Sequence, residues 1–472
     1  MVEAKVYIGS DIVEKEKVGK RRSPYSKEVV STYPLCSAED AKAALKVAER
    51  AFEKSRKTPL SQRIAWLRDV AKRLREEKEI FAETITDEIG KPIMFSRIEV
   101  DRCIETIELT ADALTHLRGE TIPTDATPSG RKSTAFWRRV PAGVVVAITP
   151  FNFPLNLAAH KLAPALGAGC SVVLKPTPEA PATGYLFARL FIESEYAVDD
   201  ALSIVYGDAE VGSALVTSDI PRVISFTGSV PVGNIITKSA GIKKVSLELG
   251  GNAATFVEKS ADLAHAAARC AFGAFVNSGQ VCISLQRIYV DAAVYDDFAA
   301  AMAEETKKLK VGSPYDDDTF MGPLINEEAK DRAMNWVRSA EKEGARVIAG
   351  GELVDGIFAP TVMADVRDDM AIVCEEVFAP IVSLVKVGSF DEAAGKMNDS
   401  PYGLQFSIFT NDLKMTQRAL EEFECGGIVV NDVPTVRFDI QPYGGMKLSG
   451  VGREGPDFAL EEFTEIQSVV IF

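Results

Sequence analysis

Between residues 37 and 117 apolar side chains recur every three or four positions, and beyond residue 142 they gather into short unbroken runs. The first spacing predicts amphipathic helices. Over 37–57, Ala41, Ala44, Leu45, Ala48 and Phe52 share one face, behind a Ser37-Ala-Glu-Asp40 start shaped like a capping box. A second helix is predicted from near Pro59, with Ile64, Leu67, Val70, Ala71 and Leu74 as its stripe, and a third over 93–117. The Thr-, Pro- and Ser-rich stretch 119–135 breaks the pattern and predicts an exposed excursion. The later runs, at 143–149, 171–174, 202–206, 222–226, 244–248 and 253–257, alternate with helical or turn segments. That alternation predicts a parallel sheet covered on both faces. It resumes at 286–290, 347–349, 381–387, 406–409 and 428–430, which predicts a second α/β unit. The tail Ile466–Phe472 reads as a strand apolar enough to need a partner, such as one from another subunit.

Length changes this picture little, since 472 residues with 46% hydrophobic content allow two or three domains with substantial cores. Charge narrows the partners. With 53 Lys and Arg against 68 Asp and Glu, the net −15 disfavours nucleic acid and anionic membrane. No 18-residue apolar run occurs and the first residues lack a signal-peptide core, so a cytoplasmic protein is expected. Seven scattered cysteines (36, 103, 170, 270, 282, 374 and 425), with no Cys-x-x-Cys, argue against a disulfide framework or a zinc cluster. Only His116, His160 and His265 are present, in no ligand-like spacing, so metal catalysis is not expected.

The chemistry concentrates between Glu248 and Cys282. Glu248 ends a β-like run and precedes two glycines, while Cys282 follows the small-residue turn Asn277-Ser-Gly-Gln280. A thiolate and a carboxylate are what a thioester mechanism needs: a soft nucleophile, then a base to activate water. Each residue alone has a plainer reading, as a small buried hydrophobe and a solvated surface charge. The one literal Gly-x-Gly-x-x-Gly, at Gly450, Gly452 and Gly455, follows no strand and so lacks the context of a dinucleotide fingerprint. Phe226-Thr-Gly228-Ser229 does follow a strand, and Pro231 suits a first helical turn, which gives either a phosphate site or an ordinary turn. Gly207 and Gly212 belong to the preceding connection and would lie alongside. Thr149-Pro-Phe-Asn152-Phe-Pro leaves a strand at its carboxyl end, where ligand sites of open α/β sheets gather. Asn152 either offers an amide N–H to a developing oxyanion or caps the next helix. Lys175 ends the following strand, in reach of a ribose or phosphate.

Taken in order, Thr149-Pro-Phe-Asn152-Phe-Pro, Phe226-Thr-Gly-Ser229, Leu247-Glu248-Leu-Gly-Gly, Gly279-Gln-Val-Cys282, Glu375-Glu376-Val-Phe378-Ala-Pro380 and Tyr443-Gly-Gly-Met-Lys-Leu-Ser-Gly450-Val-Gly-Arg-Glu454 resemble the aldehyde dehydrogenase superfamily over essentially the whole chain. The stretches Asn156-Leu-Ala-Ala-His-Lys161, Cys282-Ile-Ser284 and Asn431-Asp432 look most like its lactaldehyde and glyceraldehyde dehydrogenase branch. The resemblance implies a Rossmann-like cofactor domain (1–119 and 141–250), an α/β catalytic domain (251–455) and a small β oligomerisation flap (120–140 and 456–472). It implies Cys282 as nucleophile, Asn152 and the Cys282 N–H as oxyanion hole, and Glu248 as hydrolytic base. It places NAD or NADP along Thr149, Phe151, Lys175, Gly207, Gly212, Gly228, Ser229, Glu376 and Phe378. It further implies a homo-oligomer, dimer or tetramer. Arg102, Asn156, His160 and Ser284 are expected near a small 2-hydroxyaldehyde, with Arg102 equally able to pair with Asp101 or Glu105. Two departures stand out. Pro178 occupies the position where NAD-preferring members carry an acid, with Glu179 one place later, and Ala379 replaces the usual glycine. The competing implications are a CoA-acylating enzyme, which typically lacks the base at Glu248, and a non-catalytic crystallin-like protein, which can lose the nucleophile.

Overall fold

The computed structural model describes all 472 residues. Its first sheet has eight strands in the order Gly450–Val451, Lys244–Glu248, Pro221–Thr227, Val144–Ile148, Ser171–Lys175, Leu202–Ile204, Val6–Ile8 and Asp11–Val13. The five from Lys244–Glu248 to Leu202–Ile204 run parallel, and the outer three are antiparallel to their neighbours. The parallel strands are nearly all buried, which is why they read as unbroken apolar runs rather than as alternation. The chain builds outward from Val144–Ile148 to one side, then returns to add Pro221–Thr227 on the other. The order therefore reverses there, and the carboxyl ends of these strands open onto a crevice.

Helix Ala38–Ser55 begins with the capping box read from the sequence, Ser37 and Asp40 each satisfying the other's backbone. Helices Leu60–Glu76 and Ile93–Ala113 follow where the periodicity puts them, the latter ending in a 3₁₀ turn at Leu114–His116. Helix Asn156–Ala168 is buried along its entire length beneath the first sheet, so it has no polar face to show. Its three polar side chains, Asn156, His160 and Lys161, fall at i, i+4 and i+5 and must find partners inside the protein.

The second sheet has seven strands, Arg346–Ala349, Thr361–Ala364, Ile381–Val387, Leu285–Asp291, Ala253–Val257, Gln405–Phe409 and Gly427–Val430, parallel except for the first. The tail strand Thr464–Ile471 finds its partner in its own chain. It pairs antiparallel along its whole length with Thr134–Pro141, which also carries the short strand Glu120–Thr121. Its other edge is open, with Ile466 60% and Phe472 89% exposed. The segment before that strand behaves differently from a flap. Gly450–Val451 joins the first sheet, and helix Pro456–Glu462 packs on Ile93–Ala113 and Asn156–Ala168, with Ala459 and Leu460 buried there. From the C-terminal segment, only Thr464–Ile471 joins the three-stranded sheet with Thr134–Pro141 and Glu120–Thr121. No helix is long and apolar enough to cross a membrane.

Candidate active site

Glu248 is the last residue of its strand, and the backbone around it leaves no room for larger neighbours. A Cβ on Gly251 would collide with the Cys282 carbonyl, one on Gly250 with the Glu376 carboxylate, and one on Gly444 would lie 2.9 Å from Glu248 Oε1. The third group of glycines read from the sequence has the same use. Gly450, at a φ of 154°, lies against the Leu247 carbonyl and pairs with Glu248, and Gly452 lies against Ser246, so both pack on the Glu248 strand, while Gly455 lies against the Gln441 carbonyl; the three open no βαβ fingerprint.

Cys282 is presented by a tight turn after helix Leu263–Phe275. Asn277 and Ser278 are both left-handed there, at φ 52° and 54°. Hydrogen bonds hold that costly conformation: Asn277 Nδ2 donates to the Asn152 carbonyl (3.2 Å) and Ser278 Oγ to the Gly322 carbonyl (2.8 Å). Asn152 is buried and donates from Nδ2 to the Gln280 carbonyl (3.0 Å) while Oδ1 accepts from the Phe153 N–H (3.2 Å). The following helix starts at Asn156 without a side-chain cap, so Asn152 is no helix cap. Its amide is fixed beside the Cys282 turn and carries a second N–H.

The sulfur borders a cavity of about 170 Å³. Phe95, Phe153, Phe272 and Ile283 supply apolar wall, and Arg102, Asn156, Thr435 and Arg437 supply polar wall. Cys282 Sγ lies 2.9 Å from the Tyr443 hydroxyl, and the Arg437 guanidinium stacks over the Tyr443 ring at 3.7 Å. Arg437 Nη2 donates to Glu454 (3.1 Å), which also takes Lys161 Nζ (3.2 Å). Arg102 forks onto Asp439 through two bonds (2.9 and 2.7 Å), and Asn156 Nδ2 reaches the same carboxylate at 3.2 Å. His160 Nε2 lies 3.0 Å from both Asp439 and Arg437, and its tautomer decides which it serves.

Of the four residues expected near the substrate, two lie away from the cavity. Ser284 donates to the Ala274 carbonyl (3.1 Å), and His160 lies in the ion network below, so neither borders the cavity. Burial of both neighbouring elements turns these side chains inward to satisfy backbone and carboxylate. Arg102 and Asn156 do line it, and the partner of Arg102 is Asp439, because Asp101 is taken by Lys78 (2.7 Å). Thr435, Arg437 and Asp439 were not singled out from the sequence, and Tyr443 opened a motif there without a role. Their signal was alternation: Thr435, Arg437 and Asp439 turn toward the site while Phe438 and Ile440 face solvent, 63% and 55% exposed.

Burial and charge set the titration of these groups. Loss of solvent and the Glu454 charge push Glu248 well above the usual carboxylate range, and neither of its oxygens has a hydrogen-bond partner. Burial pushes Cys282 up to about 11, against the pull of Tyr443 and Arg437, and the nearby Glu248 carboxylate adds to the rise. Burial would also raise Glu454, but Lys161 and Arg437 outweigh it and hold that carboxyl at about 2. Burial and Arg437 lower His160, which keeps it neutral.

A second surface lies in the crevice at the strand ends. Lys175 is buried with no hydrogen-bonded or ion-paired carboxylate, and burial lowers its pKa. Gly212, in helix Ala209–Thr217, leaves open space 3.9 Å from its Cε, and Gly207 forms the turn into that helix. Ser229 occupies the cap position of the ten-residue helix Val230–Ser239 without making a cap bond, and the Gly228 N–H donates to the Glu248 carbonyl (3.0 Å). An unpaired lysine at one strand end and an uncapped helix start after another strand fit the ribose and phosphates of a dinucleotide. Thr149 N–H donates to the Lys175 carbonyl (3.3 Å), and the Phe151 ring meets that of Phe378 edge-on at 6.0 Å. Glu376 accepts from the Gly251 N–H (3.0 Å) and is raised to about 7 by burial.

The aldehyde dehydrogenase family profile matches residues 12–469. The 3-sulfolactaldehyde dehydrogenase of Priestia megaterium is 42% identical over 448 residues, spanning 95% of this chain and 93% of that one. The lactaldehyde dehydrogenase of Methanocaldococcus jannaschii is 39% identical over 454 residues, spanning 95% and 96%. Among solved structures, aldehyde dehydrogenase 21 from Physcomitrella patens, in complex with the reaction product succinate, is similar at a TM-score of 0.96 and 35% identity, covering 99% of this chain and 98% of that one. The glyceraldehyde-3-phosphate dehydrogenase of M. jannaschii, complexed with NADP, is similar at 0.93 and 38% identity, covering 97% and 100%.

Proposed function

The chain belongs to the aldehyde dehydrogenase family, and from that premise we propose that it oxidises a small, polar 2-hydroxyaldehyde to its carboxylate through a thioester on Cys282. The observation that carries this reading is the cavity at Cys282, small and walled on one side by Arg102, Asn156 and Arg437. Guanidinium and amide donors suit hydroxyl and anionic groups better than a bulky aromatic tail. Relatives named for lactaldehyde and 3-sulfolactaldehyde support the same substrate class.

The Cys282 thiol loses its proton to the Glu248 carboxylate, and the sulfur electron pair attacks the aldehyde carbon. The C=O pair moves onto oxygen, where the Asn152 amide and the Cys282 N–H offer donors. A nicotinamide cofactor, NAD or NADP, supplies the two-electron acceptor when bound; Lys175, Gly212, Gly228 and Ser229 would hold its ribose and phosphates, with Glu376 and Phe378 nearer the ring. Glu248 releases the thiol proton to solvent and then takes a proton from water as that water attacks the Cys282 thioester; the C–S bond breaks with its pair on sulfur, which takes the acid proton and leaves the carboxylate product. Transfer of the acyl group to a thiol cosubstrate would have no use for Glu248. The first sheet would carry the cofactor, the second would carry Cys282, and the open edge of Thr464–Ile471 would join subunits of a homo-oligomer. Seven unpaired thiols fit a cytoplasmic location. An aldehyde panel followed at 340 nm with each cofactor tests the proposal. Lactaldehyde and glyceraldehyde should exceed benzaldehyde in kcat/KM, and a clear preference for benzaldehyde or long-chain aldehydes would overturn it.

A further inference from the structure

Burial makes Cys282 a reluctant anion, yet the thiolate is the form that attacks. The titratable and charged groups that act on the sulfur come from four elements. Glu248 arrives from the first sheet and Glu376 from the turn after Ala371–Cys374, and both disfavour negative sulfur. Arg437, after Gly427–Val430, and Tyr443, before Met446–Lys447, favour it. Only Tyr443 touches it.

We propose that Tyr443 is a catalytic residue: its hydroxyl donates to the Cys282 sulfur, 2.9 Å away, and holds it as the thiolate, while Arg437, stacked 3.7 Å from the Tyr443 ring, is a positioning residue that fixes that ring and adds its own charge to the pull on sulfur. The inference rests on Cys282 being the nucleophile. The hydroxyl is held in place from both ends of the residue. Tyr443 N–H donates to the Glu454 carbonyl (3.0 Å) and Glu454 N–H to the Tyr443 carbonyl (2.7 Å), which pins the backbone. The ring is buried, 5% exposed, and is covered by a guanidinium itself anchored on the Glu454 carboxylate (3.1 Å). A cation over the face of a phenol draws electron density from the ring and strengthens its O–H as a donor. Tyr443 keeps its own proton throughout, since burial and the facing Cys282 push its pKa well above the usual phenol range. The thiol proton goes to Glu248, the sulfur pair forms the C–S bond, and the C=O pair moves onto oxygen. As negative charge leaves sulfur, the hydrogen bond weakens and does not hinder attack. A phenylalanine in this position would fill the same space and give the sulfur no donor.

The test is the pH dependence of Cys282 alkylation by iodoacetamide, read by intact mass in the full-length enzyme, together with the burst of cofactor reduction. Tyr443→Phe should move the alkylation midpoint up by about one to two pH units, the size of losing a hydrogen bond to a charged group. The burst at pH 7 should fall by about 10- to 100-fold and recover as pH rises. Arg437→Met, which keeps the hydroxyl, should shift the midpoint in the same direction by less. A Tyr443→Phe enzyme with the wild-type alkylation profile overturns the proposal. If that variant does not fold, Arg437→Met decides, and an unshifted midpoint there overturns it. Cys282→Ala separates the two readings. Retained turnover in that variant removes the nucleophile itself, whereas a dead Cys282→Ala beside an unshifted Tyr443→Phe removes only the role of Tyr443.

Discussion

Replacing Glu248 by glutamine separates the two halves of the reaction. The side chain is 4% exposed, and the glycines beside it leave little space, so an isosteric change disturbs the packing least. Deacylation loses its base, an effect of about 10²–10⁴-fold. Stopped-flow mixing should then show cofactor reduction near one equivalent per active site, followed by turnover slowed by that factor. The acyl group should appear as added mass on the intact protein, and hydroxylamine should partly restore turnover. Because Glu248 also takes the Cys282 proton in this mechanism, the burst should keep its amplitude but slow in the same trace. Stability gives an independent reading. The folded-state pKa of Glu248 is raised by burial, so between its unfolded value near 4.5 and its folded value the native state binds the extra proton. Wild-type stability contributed by this site is therefore full below about pH 4.5 and falls as pH rises through that window, by about 1.4 kcal/mol per pH unit. The glutamine variant lacks this slope, so its unfolding free energy should gain on the wild type as pH rises from 4.5. Wild-type steady-state rates with no trapped acyl enzyme would show that the base lies elsewhere, and parallel stability curves would show that Glu248 ionises normally.

Gly444→Ala places a methyl 2.9 Å from Glu248 Oε1 and should slow hydrolysis about tenfold or more with the burst retained, checked in the same stopped-flow trace. Arg102→Gln should raise KM for glyceraldehyde or lactaldehyde about tenfold with little change for propanal, and loss of the two-bond fork on the buried Asp439, which keeps Asn156 and His160, should lower stability by about 1–3 kcal/mol in urea titration. NAD and NADP should both be used, within about tenfold of each other or favouring NADP, because the position three residues after Lys175 holds Pro178 rather than an acid; tenfold is only about 1.4 kcal/mol. Pro178→Glu should lower kcat/KM for NADP about tenfold relative to NAD, and strict NAD use by the wild type would contradict the argument.

The five parallel strands of the first sheet and most strands of the second were legible because a strand buried on both faces can only be written in apolar residues. Ala253–Val257, read with the first run, belongs to the second sheet, and the antiparallel outer strands Val6–Ile8, Asp11–Val13 and Gly450–Val451 went unread. The helices with a solvent face were legible because their stripe and caps are local. Helix Lys78–Ile89 was missed: it starts one residue after the previous helix ends, with no side-chain cap to mark the break. Strand Thr361–Ala364 was missed because four residues after a proline carry no period. At the site, Cys282, Glu248 and Asn152 stood out through backbone demands on their neighbours, glycines and prolines in fixed order. Arg102 and Asn156 line the cavity while His160 and Ser284 turn away from it, since linear distance from a motif does not say which way a side chain turns. Tyr443 and Arg437 approach from more than 150 residues downstream of Cys282, a juxtaposition that only the assembled fold reveals.

The ion network beneath the cavity is better explained by the reaction than by stability. Arg102, Arg437 and Lys161 meet Asp439 and Glu454, so three cations face two carboxylates, with His160 neutral between them. Buried ion pairs seldom stabilise more than apolar side chains of the same volume, because desolvation offsets their attraction. Helix Asn156–Ala168 nevertheless turns Asn156, His160 and Lys161 into this network where its other buried positions are almost all apolar or small. The excess positive charge lies under a cavity in which each proposed species is negative: thiolate, oxyanion and carboxylate product. Fixed cations already oriented by Asp439 and Glu454 need no rearrangement as that charge moves from sulfur to oxygen, which is how preorganised electrostatics lowers a barrier. The carboxylates serve to hold the guanidiniums still, one at the cavity wall and one on the Tyr443 ring. Stability lost to the network is thus tied to positions that the chemistry uses.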